Sequence, residues 1–226
     1  MTFLGRGTPR DRQKGAELIR QSKAKDFEFG ESSLDAQKLV ASLSPAACEL
    51  FKWCKFGSDY DWLCQHLMAI CLLGGFGVAK DQIRAVGILH ELADEGREIS
   101  EYWLGQCHKN GWGVVKNAQR AEIWYRRAAQ HGNACAQFKL GESLYSGDGG
   151  AKNLPEAAEW FTKAAIQGNS DAQWNLGYCY ENGLGVDQNS TACMTWYRRA
   201  AEQGHIKAST RIGLQTSLSF AWFGQR

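Results

Sequence analysis

An all-α array of repeated, antiparallel helix pairs is the fold this sequence predicts, and three observations predict it. Glycine recurs at a strict interval of 36 residues as Gly96, Gly132, Gly168 and Gly204; a second ladder runs Gly75, Gly111, Gly147, Gly183 and a third Gly77, Gly113, Gly149, Gly185. One fixed period means one supersecondary unit copied and stacked, each copy burying a face of its neighbour. Within a copy, apolar residues fall at helical spacing: Ala172, Leu176 and Tyr180, then Cys193, Trp196, Tyr197, Ala200 and Ala201. Each stripe is bounded by its own start and stop signals. Asp81, Asn117, Asn153 and Asn189 share one phase and suit an N-cap, while the glycines follow the last periodic residue, where a left-handed C-cap wants them.

The elements follow in order. Residues 1–30 are polar and glycine-dotted, and are expected to form a flexible arm. Residues 31–57 are expected to form N-terminal capping helices. Ser32 or Ser33 opens one through Leu34, Leu39, Val40 and Leu43; Ser44-Pro45 opens another that runs through Cys48, Phe51, Trp53 and Phe56 to Gly57. Residues 58–213 hold the repeats. In each, a first helix ends at the Gly-x-Gly turn and a second begins at the phased Asp or Asn. Ala208 opens a further first helix, and residues 214–226 make an apolar tail.

Composition narrows the function. The chain has 226 residues, 44% of them hydrophobic, with a formal net charge of +2. No strong field calls for a nucleic acid or an anionic membrane. No apolar run approaches the ~20 residues of a membrane helix, and the charged first 20 residues lack the core of a secretory signal. Eight cysteines suggest a disulfide framework until their phase is read. Cys71, Cys107 and Cys179 share one position, Cys193 stands where Ala85, Ala121 and Ala157 stand, and Cys64 where Ala136 and Ala172 stand. Cysteine here fills small packing sites as a small hydrophobe, which fits a reducing compartment. The cytoplasm is the expected location, with a mitochondrial matrix as the lesser alternative.

Enzymatic chemistry has little to stand on. There is no Cys-x-x-Cys pair, and the histidines at 66, 90, 108, 131 and 205 share no repeat phase, so no metal site and no cofactor are expected. The recurring Gly-x-Gly motifs are turns rather than phosphate cradles. A basic ridge on the second helices (Arg126, Arg127, Lys163, Arg198, Arg199) is interleaved with Glu122, Glu156, Glu159 and Glu202, the pattern of a solvated face.

Leu-Gly-x-x-Tyr, then Gly-x-Gly-Val, then Trp-Tyr-Arg-Arg-Ala-Ala-x-x-Gly resembles the Sel-one-like repeat, a relative of the tetratricopeptide repeat, over about four and a half copies. The resemblance implies a right-handed superhelical solenoid with first helices lining a concave groove. It implies a non-catalytic adaptor or scaffold that holds a peptide or domain of a partner protein. Carried over by phase, the partner-binding positions are Trp174, Tyr178, Glu181 and Asn182 in the fourth copy, Phe138, Glu142 and Tyr145 in the third, and Tyr102, Gln106 and Lys109 in the second. The same aromatics could instead pack against the neighbouring helix. Leu214, Leu218, Phe220, Trp222 and Phe223 form a second candidate surface, for self-association or a partner, or else a cap on the array. Two other functions stay open: a stoichiometric inhibitor or immunity-type protein, and a hydrolase within the first 57 residues. Certain secreted, cysteine-rich members of the family are linked to penicillin binding. They carry a disulfide at positions that here read Ala93/Ser100, Ala129/Ala136, Ala165/Ala172 and Ala201/Ala208, so that link is not inherited.

Overall fold

A computed structural model describes residues 45–213 except Tyr60; the candidate tail residues Leu214, Leu218, Phe220, Trp222 and Phe223 lie outside the described residues, as do the arm and the first capping helix. The described chain is helical throughout, in two compact units that meet in sequence at Ile88 and Leu89. The first contains α1 (Pro45–Gly57), α2 (Trp62–Gly74) and the opening of α3 (Gln82–Asp94). The second contains the end of α3, then α4 (Glu98–Asn110), α5 (Ala118–Gln130), α6 (Ala134–Ser146), α7 (Leu154–Ile166), α8 (Ser170–Asn182), α9 (Ser190–Glu202) and α10, residues 206–213.

The phased punctuation sets the helix ends. Asn117, Asn153 and Asn189 accept from Arg120, Glu156 and Ala192 backbone N–H groups at 2.9, 3.2 and 3.0 Å, and Asp81 accepts from Arg84 at 3.1 Å. Gly75, Gly111, Gly147 and Gly183 are left-handed and close the first helices, each donating its N–H to the carbonyl four residues back. A second link makes the pair a unit: Asn117, Asn153 and Asn189 donate their own N–H to the carbonyls of His108, Leu144 and Tyr180 at 2.8–2.9 Å.

Close approach within a pair depends on one glycine. An ideal Cβ on Gly105, Gly141 or Gly177 would sit 2.4–2.7 Å from the ring of Tyr125, Phe161 or Tyr197. The second helix thus lays an aromatic ring on bare backbone of the first. The turns make a comparable approach to the preceding copy. A Cβ on Gly185 would lie 2.1 Å from the Leu154 carbonyl oxygen, and one on Gly77 2.1 Å from that of Ala47. The second contact shows what α1 is: it stands in the place of a preceding repeat's second helix, though its sequence lacks the Trp-Tyr-Arg-Arg signature.

An amide ladder joins copies on the other edge. Gln137 Nε2 donates to the Ala129 carbonyl at 3.2 Å and its Oε1 accepts from Gln167 at 2.8 Å; Gln173 repeats this with Ala165 and Gln203 at 3.1 and 2.8 Å. The second copy breaks the ladder. Glu101, fully buried, takes the glutamine position and His131 its partner's. A carboxylate cannot donate to the Ala93 carbonyl, so Arg127 Nη2 does, at 2.8 Å. Arg127 Nε also lies 2.6 Å from Glu101 Oε1, an ion-pair contact without the alignment of a hydrogen bond, and His131 Nδ1 lies 2.8 Å from Oε2.

All eight cysteines carry free thiols, and all but Cys48 are buried. Burial pushes the Cys179 thiol up to about 11 and that of Cys107 up to about 12.

Candidate partner-binding face

The first-helix positions named from sequence separate into two layers. Tyr102 and Phe138 are buried, their rings 6.1 Å from Tyr125 and Phe161. Trp174 is half-buried, stacked 4.7 Å from Tyr197 and 5.5 Å from His205. These three lie off the Ala-Leu-Tyr stripe of their own helices, yet they pack. The following second helix presents the ring beneath the phased glycine, and the position three residues before that glycine leans onto the same ring.

The outer layer holds Tyr178, 39% exposed, with half-buried Tyr145 close enough for the two phenols to interact electrostatically. Burial raises the Tyr145 phenol from its ordinary value. Asn182 is exposed and donates back to the Tyr178 carbonyl at 2.9 Å, as Asn110 does to that of Gln106. Beneath them the remaining named residues brace the helix pairs. Gln106 donates to the Tyr102 hydroxyl at 2.7 Å and accepts from the Tyr125 hydroxyl at 3.0 Å. Glu181 accepts from the Tyr197 hydroxyl at 2.8 Å and pairs with Arg211, tying α10 to α8. Lys109 pairs with Asp148 in the next copy's turn, and Glu142 pairs with Lys139 at 2.8 Å.

Two cations were missed by the sequence reading. Lys139 lies over the Phe138 ring at 4.9 Å and Lys152 over the Tyr145 ring at 5.5 Å. The period carries a signal for Lys152, since Lys80 and Lys116 share its phase. The basic ridge on the second helices is largely spent internally. Arg126 pairs with Glu122 and Glu156, Arg127 with Glu101, and Lys163 and Arg199 cover Trp160 and Trp196 at 3.9 and 4.7 Å. Among the described residues no group of three His, Cys, Asp or Glu side chains is placed to hold a metal ion, and no helix is long and apolar enough to cross a membrane.

Four consecutive helix pairs, each closed by the same glycine and the same Asp or Asn, meet one profile. The Sel1 repeat profile matches residues 1–27, 62–96, 99–133, 136–169 and 170–205. The chain belongs to the Sel1 repeat family. Four of the matched stretches coincide with the pairs α2–α3, α4–α5, α6–α7 and α8–α9; the first falls on the segment expected to be an arm, outside the described residues. Sel1 repeat proteins generally mediate protein–protein interaction.

Solved structures agree on the fold. A Sel1 repeat protein from Oxalobacter formigenes is similar at 26% identity and TM-score 0.71, over 89% of this chain and 88% of that one. A protective antigen of uropathogenic Escherichia coli with an SLR fold is similar at 24% identity and TM-score 0.72, over 97% of this chain; the match spans 48% of that chain. An immunity protein from Pseudomonas aeruginosa shares the fold at 21% identity and TM-score 0.53, over 86% of this chain and 68% of that one. No curated protein matches the sequence.

Proposed function

We propose that this Sel1 repeat chain is a non-catalytic adaptor that holds a peptide or domain of a partner protein against the outer layer of first-helix residues in copies two to four. The observation that carries the reading is Tyr178. It is a large aromatic left exposed on a braced helix, near Tyr145 and the amide of Asn182, whose phase Asn110 repeats two copies earlier. Rigid aromatics with few rotatable bonds are the side chains that most often anchor an interface. Tyr102, Phe138 and Trp174 support this layer from beneath instead of touching the partner. The eight free thiols support a reducing compartment, with the cytoplasm as the working assignment.

A photo-crosslinking residue placed at position 178, and separately at exposed Glu159 on a second helix, tests the reading in the native host. One dominant crosslinked protein from position 178, absent from position 159 and lost on Tyr145→Ala, is the expected result. Equal capture at both positions, or capture at 159 alone, refutes the assignment. If the captured protein is an enzyme that stoichiometric addition of this chain silences, the inhibitor alternative takes its place.

A further inference from the structure

His108 is the residue that the repeat does not explain. Its phase is filled by Leu72 and Leu144 in the first and third copies and by Tyr180 in the fourth. The imidazole is 4% exposed and sits on α4 beneath the 111–117 turn, where one ring nitrogen donates to the Val115 backbone carbonyl and Nδ1 has no partner. With Nε2 holding the proton, Nδ1 is a buried lone pair with nothing to accept from.

The groups that face it are His90 from α3 and Arg120 from α5. Neither is a carboxylate. His90 is itself held edge-on to Trp124, with ring centroids 5.3 Å apart. A proton arriving on Nδ1 would therefore create a cation in a buried slot, beside one permanent cation and a second imidazole, with no carboxylate to pair it.

We propose that His108 is an acid-sensitive joint: its Nδ1 lone pair takes a proton from solvent, the imidazolium leaves its slot beneath the 111–117 turn, and the seam between α4 and α5 loosens. Burial first, and then Arg120 and His90, lower His108 below its ordinary 6.5. A group lowered in the fold is held neutral there, so its contribution is complete above pH 6.5 and is lost as pH falls from that value toward the folded-state one. The Asn117 N–H bond to the His108 carbonyl, at 2.8 Å, ties the turn to the same residue. Moving the side chain therefore disturbs the link that closes the helix pair.

Amide hydrogen exchange on the full chain at about pH 7.5 and about pH 5.5, corrected for intrinsic rates, reads the joint directly. Wild-type protection across residues 104–121 is expected to fall by about three- to tenfold at the lower pH, ten being the ceiling one imidazole with an ordinary 6.5 sets over this interval, while residues 170–182 hold within about twofold. His108→Leu, which installs the residue of the first and third copies, is expected to abolish the fall; His108→Tyr, from the fourth copy, serves if the leucine variant folds poorly. Equal loss of protection in wild type and variant overturns the proposal, as does no loss in wild type. Imidazole nitrogen shifts of the unmodified protein give a separate check. His108 should titrate below the ordinary 6.5 of an imidazole, and titration at or above that value overturns the proposal without any variant.

Discussion

Glu101→Gln combined with His131→Gln writes into the second copy the amide pair that the third and fourth copies carry at the same phase. The single change Glu101→Ala is the reference. It removes a fully buried carboxylate from ion-pair contacts of 2.6 and 2.8 Å. Stranding a buried charged partner costs about 3–5 kcal/mol, but here the partners are not stranded. The Arg127 and His131 side chains are 40% and 47% exposed and regain water, and Arg127 keeps the Ala93 carbonyl. The expected loss is therefore about 2–3 kcal/mol, from two charge-assisted contacts and a small void. In the double variant the glutamine introduced at position 101 is expected to donate to the Ala93 carbonyl and to accept from the one at position 131, as Gln137 does with Ala129 and Gln167. Arg127 then turns outward over Trp124, whose ring its guanidinium already faces at 5.4 Å. That variant should lie within about 1 kcal/mol of wild type. Urea denaturation followed by circular dichroism near neutral pH measures all three, and the single glutamine variants complete the cycle. A double variant as unstable as Glu101→Ala refutes the equivalence of the ladder and the charge cluster. A Glu101→Ala loss under about 0.5 kcal/mol refutes the claim that the buried carboxylate supports the second copy.

Two glycines that are alike in sequence should behave differently. Gly168→Ala meets open space at φ 94° and should cost about 1 kcal/mol of backbone strain, whereas Gly185→Ala drives a methyl to 2.1 Å from the Leu154 oxygen and should cost at least about 3 kcal/mol, both read from urea midpoints. The thiols should be sluggish. In native protein at about pH 8, iodoacetamide should modify half-buried Cys48 well before Cys107 and Cys179, and mass spectrometry showing all eight labelled at one rate would contradict the burial described.

Most of the fold was legible because it is written more than once. The Asp81, Asn117, Asn153 and Asn189 caps, the left-handed glycines and the cysteines at alanine sites are each repeated, and repetition separates a rule from an accident. The helix Pro45–Gly57 was legible from its Ser-Pro start; its standing as a repeat's second helix was not, because only the contact from Gly77 reveals it. The candidate face was half legible. Phase placed Tyr102, Phe138 and Trp174 off their own helix's stripe, but the rings they meet belong to the next helix, and a single-helix stripe cannot show that. His108 and Glu101 were unreadable in a different way. Each breaks a rule in one copy, and whether a break matters depends on partners such as Arg120 and Arg127, residues whose own phase carries no hint of it.

The glycine of each turn that presses on a carbonyl of an earlier helix gives the array a direction in time. Gly77 needs Ala47, and Gly185 needs Leu154, about 30 residues nearer the N-terminus in each case. A copy leaving the ribosome therefore meets a template that has already emerged, and never waits for one still to be made. Cutting from the C-terminal side, in steps of one period, should leave every remaining turn seated. A cut from the N-terminal side strips the first surviving turn of the backbone it rests on.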